Sequence, residues 1–240
     1  MMPITETVKQ LLIINIIFFV GSQIVADAYA YLPMYFFENP MFYFWQPLTS
    51  MFMHGSVMHI LFNMFGLYMF GSILEHFWGS KKFLFFYISC GLGAALAHQV
   101  VNYFEFHSAY NQLLSSGMSV ENIKELISSR GYFDSTQFQL QQAYHTPVVG
   151  ASGALYGIMV AFGFMFPNEK LMLMFIPIGI KAKYFIPILL AYDLISGLKG
   201  GSIFGLGGGI AHFAHIGGAI TGFLIMWYWK RNSFKGNRWN

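Results

Sequence analysis

Six runs of roughly twenty mostly apolar residues constrain this chain more than any other feature. They fall at about residues 8–28, 57–75, 83–103, 147–166, 182–197 and 208–229. A run of that length, wound as a helix, spans the hydrocarbon layer of a bilayer with its backbone groups satisfied internally. A soluble core cannot hide six of them behind so little charge. The chain is 56% apolar and 10% charged, where soluble domains carry about 25% charged residues. The sequence therefore predicts an all-α integral membrane protein, a six-transmembrane-helix bundle within a single membrane domain spanning residues 1–240. A signal peptide is the rival reading of the first run, since Lys9, an apolar stretch and Ala28-Tyr-Ala30 fit that pattern. The run is long for one, and a retained span is expected.

Between the spans the composition changes. Residues 31–56 are rich in aromatics and prolines (Pro33, Pro40, Pro47), and with Trp45 they read as an interfacial loop after the first span. Residues 104–146 hold Glu105, Glu121, Glu125 and Asp134 and form a polar excursion, with a short helix expected near Val120–Ser129. Leu171–Lys183 is apolar but broken by Pro177 and Gly179, and reads as a cytoplasmic interfacial segment. A glycine-rich link from Gly200 to Gly209 enters the sixth span. With six spans, one side holds Lys9, Lys81, Lys82, Lys170, Lys181, Lys183, Lys230, Arg231, Lys235 and Arg238, ten of the thirteen basic residues. The positive-inside rule then predicts both termini in the cytoplasm and the excursion outside. A lone Cys90 allows no internal disulfide and is expected to pack between helices. No basic patch or nucleic-acid motif occurs, so no nucleic-acid partner is expected.

Polar side chains inside such runs are costly and usually face an interior or a wet cavity. Three spans carry them near their outer ends. The second begins His54-Gly-Ser-Val-Met-His59-Ile-Leu-Phe-Asn63, with His59 and Asn63 on one helical face. The fourth begins Gly150-Ala-Ser152-Gly-Ala-Leu-Tyr156-Gly157, a hydroxyl among glycines. The sixth contains His212-Phe-Ala-His215. Gly153 and Gly157 on the fourth, with Ala214, Gly218 and Gly222 on the sixth, form small-residue stripes that allow close approach. Ser152 is expected near His215.

Taken together, His54…His59-Ile-Leu-Phe-Asn63, Gly150-Ala-Ser152-Gly and Ala214-His215-Ile-Gly-Gly218 resemble the rhomboid family of intramembrane serine proteases, from about Trp45 to Trp229. Glu75-His-Phe-Trp-Gly79 is similar to that family's end of the second span. The resemblance implies Ser152 as nucleophile and His215 as general base. It implies His59, Asn63 and the Ser152 N–H as the oxyanion hole, and Tyr156 packed on the imidazole. His54 takes a supporting role, and the bare backbone at Gly150 leaves room for a substrate. It implies a dyad, so Asp193, the acidic residue to consider as a third member, is expected to take no part. Trp45 is followed by Gln46 where the family often has arginine, which puts the loop's hydrogen bonding in doubt. His212 is an extra histidine one turn from His215, expected to line the cavity, with electrostatic tuning of the base as the other reading, while His76, His98, His107 and His145 read as interfacial or solvated.

The resemblance implies hydrolysis of peptide bonds in or next to transmembrane segments of single-pass membrane proteins, without cofactor or metal. Water is expected to enter through a cavity lined by His54, His59, Asn63 and Ser152. The expected setting is a bacterial inner membrane, with the site opening outward. Three rivals make different demands. A zinc enzyme built on His59, His212 and His215 lacks a His-Glu-x-x-His motif. An inactive relative that binds membrane proteins has typically lost the serine or histidine. A transporter calls for paired half-repeats, and none is evident.

Overall fold

In the computed structural model of the chain, residues 3–25, 27–173, 176–199 and 212–233 are described. Six long helices carry the architecture: α1 Glu6–Ile24, α2 Val57–Trp78, α3 Ser80–Ser115, then α6 Ser152–Met165, α7 Ala182–Leu198 and α8 His212–Ser233. Between α3 and α6 lie two shorter ones, α4 Val120–Ser129 and α5 Ser135–His145. Helices α1, α2 and α3 are long and apolar enough to cross a membrane, and α6 is a shorter apolar helix. The glycine-rich link and the expected start of the sixth span at Gly208 lie outside the described residues.

Local chemistry sets the boundaries. The Ser56 hydroxyl accepts from the His59 N–H at 3.2 Å and caps α2. Asp134 does the same for α5 through the Gln137 N–H at 2.8 Å. Gly79, at φ 77°, turns the chain from α2 directly into α3, a left-handed conformation that glycine adopts without strain. A π-turn at Leu67–Gly71 interrupts α2 where it meets α1. There a Cβ on Gly71 would press within 3.0 Å of Val8 and 3.1 Å of Phe83.

One buried carboxylate ties these three helices together. Glu75 accepts the Thr7 and Val8 backbone N–H groups at the start of α1, each at 2.9 Å, and the hydroxyls of Thr5 and Ser80. A negative charge at a helix N-terminus meets the free N–H groups and the positive end of the dipole. The Glu-His-Phe-Trp-Gly segment is therefore a three-helix junction.

Helix α8 packs chiefly between α3 and α6, and glycine makes this possible. A Cβ on Gly218 would strike the Gly153 carbonyl group, and one on Gly222 would lie 2.7 Å from the Gly157 Cα. Gly217 and Gly93 bring α8 equally close to α3. Cys90 is buried in this seam against Gly157.

The structure departs from one expectation and adds detail to two others. The third span was expected to end near Tyr103, but α3 continues unbroken to Ser115. Its extension buries Phe106, Ala109 and Leu113 against Phe36, Ile123, Leu140 and Ala143, giving the polar excursion an apolar core of its own. His98 was expected at an interface. It is buried in α3, 3.2 Å from the Asn102 amide. Leu171–Lys183 contains an antiparallel hairpin, β1 Lys170–Leu173 with β2 Ile176–Lys181, pairing Lys170 with Lys181 and Leu171 with Ile180. Pro177 and Gly179 stop a helix there but not an edge strand.

Candidate active site

The loop that leads to α6 is held at two points. Met34 and Val148 exchange backbone hydrogen bonds at 3.0 and 2.9 Å, and the Gly150 N–H donates to the Ser50 carbonyl at 2.9 Å. Gln46 secures the other side of the interfacial loop. Fully buried, it accepts from the Tyr35 N–H and donates to the Met41 carbonyl at 2.8 Å. The missing arginine therefore leaves no gap, because a neutral amide offers both donor and acceptor.

Gly150 sits at φ 124°, a region essentially closed to other residues. A Cβ there would lie 2.7 Å from His59 Nε2 and 3.6 Å from Ser152 Oγ. The bare backbone expected to admit a substrate is thus where the His59 imidazole comes in beside the serine. Ser152 is the first residue of α6, so its backbone N–H has no partner within the helix. Asn63, buried one turn beyond His59, donates one amide N–H to the His59 carbonyl at 2.9 Å.

Across the seam, His215 Nε2 lies 2.8 Å from Ser152 Oγ. The Tyr156 ring stacks on the imidazole, with centroids 4.2 Å apart and planes within 9°. The small residues between α6 and α8 set this distance, since a wider seam would part the hydroxyl from the ring. A hydroxyl bonded to an imidazole beside unpaired N–H donors can transfer a proton while negative charge builds nearby.

His54 packs edge-on to His59, with centroids 5.0 Å apart, and its carbonyl accepts from the Tyr29 hydroxyl at 2.8 Å. It is completely buried. Burial, together with the neighbouring His59, holds the His54 side chain at about 4, with the Phe52 backbone acting weakly in the opposite direction. An unfolded chain takes up this proton near the ordinary value of about 6.5. Stability is therefore intact above about 6.5 and is lost as the pH falls toward 4, by up to about 3 kcal/mol. We expect the thermal midpoint to drop between pH 7 and pH 4.5, and His54→Gln to show a shallower drop. Equal slopes would exclude His54 as the source.

Asp193 was expected to take no part, and here the structure differs. It is 2% exposed on α7, and its Oδ1 lies 3.2 Å from His215 Nδ1. His212 Nδ1 bonds to the same oxygen, which links that histidine to the base through a shared carboxylate. The Tyr156 hydroxyl also interacts with this carboxylate, though Oδ2 has no partner at full hydrogen-bond contact. An acidic residue inside an apolar run was the available signal. A cavity beside Ser152 is lined by Ser50, Ala94, Val149, Gly150 and Ala214. The donor atoms that converge closely enough to hold a metal, within 4.8 Å of one another, belong to Asp193, His212 and His215. That set does not include His59.

Comparison with known proteins places the chain in a family. The rhomboid domain model matches residues 42–232. Rhomboid protease AarA of Providencia stuartii is 33% identical over 188 residues, covering 75% of this chain and 54% of that protein. RHOMBOID-like protein 12, mitochondrial, of Arabidopsis thaliana is 29% identical, covering 75% of this chain and 44% of its own length. Rhomboid protein 1, mitochondrial, of Saccharomyces cerevisiae is 25% identical, covering 75% and 40%. The chain spans about half the length of these relatives or less. With its matched domain taking in both the hydroxyl–imidazole pair and the helices that carry it, the chain is a membrane protein of the rhomboid family.

Proposed function

We propose that this chain is an intramembrane serine endopeptidase acting on peptide bonds in or beside the transmembrane segments of single-pass membrane proteins. The contact between Ser152 Oγ and His215 Nε2 at 2.8 Å carries this reading. As Ser152 Oγ forms its bond to the substrate carbonyl carbon, its proton passes to His215 Nε2. The imidazolium then gives that proton to the leaving amine as the peptide bond breaks. Water then attacks the acyl carbon and loses a proton to the same nitrogen, which returns it to Ser152 Oγ as the acyl–oxygen bond breaks. Negative charge on the carbonyl oxygen is met by the Ser152 N–H, His59 and Asn63.

A transmembrane helix keeps its carbonyls in hydrogen bonds, so substrates should carry small or helix-breaking residues that let a few residues unwind. The clustering of basic residues supports cytoplasmic termini and a site that opens to the outer side. One relative is from a bacterium and others are mitochondrial; we take a bacterial inner membrane as the setting. A binding factor without activity is the second reading, and the retained, bonded serine and histidine speak against it.

The test is incubation of the protein in proteoliposomes with a single-pass substrate whose membrane segment contains glycine or proline. Cleavage should occur, stop with a fluorophosphonate and persist with a metal chelator. A reaction halted by the chelator alone, or an intact substrate throughout, rejects this reading. His59→Ala or Asn63→Ala should each slow cleavage by about 10²–10³, the loss typical of one oxyanion donor. A loss below about threefold in both variants would take the oxyanion role away from them.

A further inference from the structure

His215 can accept the Ser152 proton only if its Nε2 is unprotonated, which places the ring's single proton on Nδ1. Among the described residues the hydrogen-bond acceptor at Nδ1 is Asp193 Oδ1, at 3.2 Å. We propose that Asp193 is a positioning residue for this site: its carboxylate, shared by His215 and His212, fixes His215 in the tautomer and orientation that leave Nε2 facing Ser152. This rests on the reading of Ser152 and His215 as a catalytic pair, and extends that pair to a third member.

The surroundings favour this role. Asp193 lies on α7 and both histidines on α8, so the contact spans two helices and fixes the ring relative to the fold. His212 and His215 are three residues apart, on one face of α8. With a proton on Nδ1 of each ring, the one carboxylate oxygen can accept from both. His212 is 12% exposed and His215 17%, against 3% for the Asp193 side chain, so the anion lies beneath the pair. An anion buried there is costly unless paired. When His215 takes the serine proton, the same carboxylate becomes the counter-charge of the imidazolium. Tyr156 and Ser152 face His215 from α6 and Asp193 faces it from α7, Tyr192 stands edge-on to the neighbouring His212, and His59 lies within electrostatic reach on α2. Of these, Asp193 is the acid.

The test compares wild type, Asp193→Asn and Asp193→Glu in detergent, each checked for a cooperative thermal transition. The rate of Ser152 labelling by a fluorophosphonate should fall about 10- to 100-fold in Asp193→Asn. That is below the roughly 10⁴-fold reported for a triad acid, because the bond is long and the carboxylate is shared. Asp193→Glu, which keeps the carboxylate, should recover at least part of the rate. Nitrogen-15 spectra of histidine-labelled protein supply a readout independent of reactivity. His215 should show a protonated Nδ1 and a bare Nε2 in wild type, and gain the opposite tautomer in Asp193→Asn. Labelling within twofold of wild type, or an unchanged His215 tautomer, overturns the proposal. If Asp193→Asn does not fold, wild type and Asp193→Glu decide: a wild-type His215 protonated on Nε2, or a folded Asp193→Glu showing that tautomer, overturns it. If wild type itself is not labelled, the reading of Ser152 as nucleophile fails instead, while the spectrum still reports on Asp193.

Discussion

Ser152→Ala and His215→Ala should each bring cleavage of a transmembrane substrate below detection, and the double variant should be no worse than either. In other serine proteases, removing the nucleophile or the base costs on the order of 10⁶ in kcat, and the losses do not add. The reason is mechanical: a base without a hydroxyl to deprotonate has no task, and a hydroxyl without a base is a poor nucleophile. Both variants should still bind substrate; Ser152→Ala should melt near the wild-type temperature, and His215→Ala, which takes one of two partners from the buried Asp193, should melt lower. Ser152 loses a single oxygen, and the His215 ring leaves its Tyr156 partner without disturbing the glycine seam. The measurement is the initial cleavage rate in proteoliposomes with co-purified substrate as a binding control. A single variant that retains a tenth of the wild-type rate removes that residue from the mechanism.

Gly218→Val should have the second largest effect, and it touches neither substrate nor catalytic group. A side chain at 218 meets the Gly153 backbone, which cannot move aside as a flexible side chain can. Helices α6 and α8 must separate, and Ser152 and His215 ride on opposite sides of that seam. A misplacement of ~1 Å in reacting groups costs on the order of 10²-fold in rate. Overpacking adds a stability loss of about 1–3 kcal/mol. Activity should therefore fall at least about 10²-fold while the protein still folds, with a lowered thermal midpoint. Gly218→Ala should be milder in both. Full activity in the valine variant would mean that the seam does not set the Ser–His distance.

The site was legible in the sequence where chemistry clashed with its surroundings. Ser152, His59, Asn63 and His215 are polar residues inside apolar runs, and glycines beside them marked where helices approach. Asp193 met the same criterion but stood alone on the fifth run. Its partners are 19 and 22 residues away on another helix, and only tertiary packing brings them together. The role of Gln46 was hidden for the opposite reason, since a glutamine among aromatics says nothing about which carbonyls it will meet. The extension of α3 to Ser115 escaped because hydropathy marks where a bilayer would end, and a helix need not end there. The hairpin at Lys170–Lys181 is too short for any periodicity to register.

The proposed nucleophile and its base stand 63 residues apart on helices that meet along a glycine seam. A ribosome delivers Ser152 to the membrane well before His215 exists. Until α8 slots between α3 and α6, the serine has no base and is an ordinary alcohol. A chain shortened before His212 should thus insert and expose Ser152 without threatening the membrane proteins around it. On the proposed reading, activity would appear only when the helices assemble.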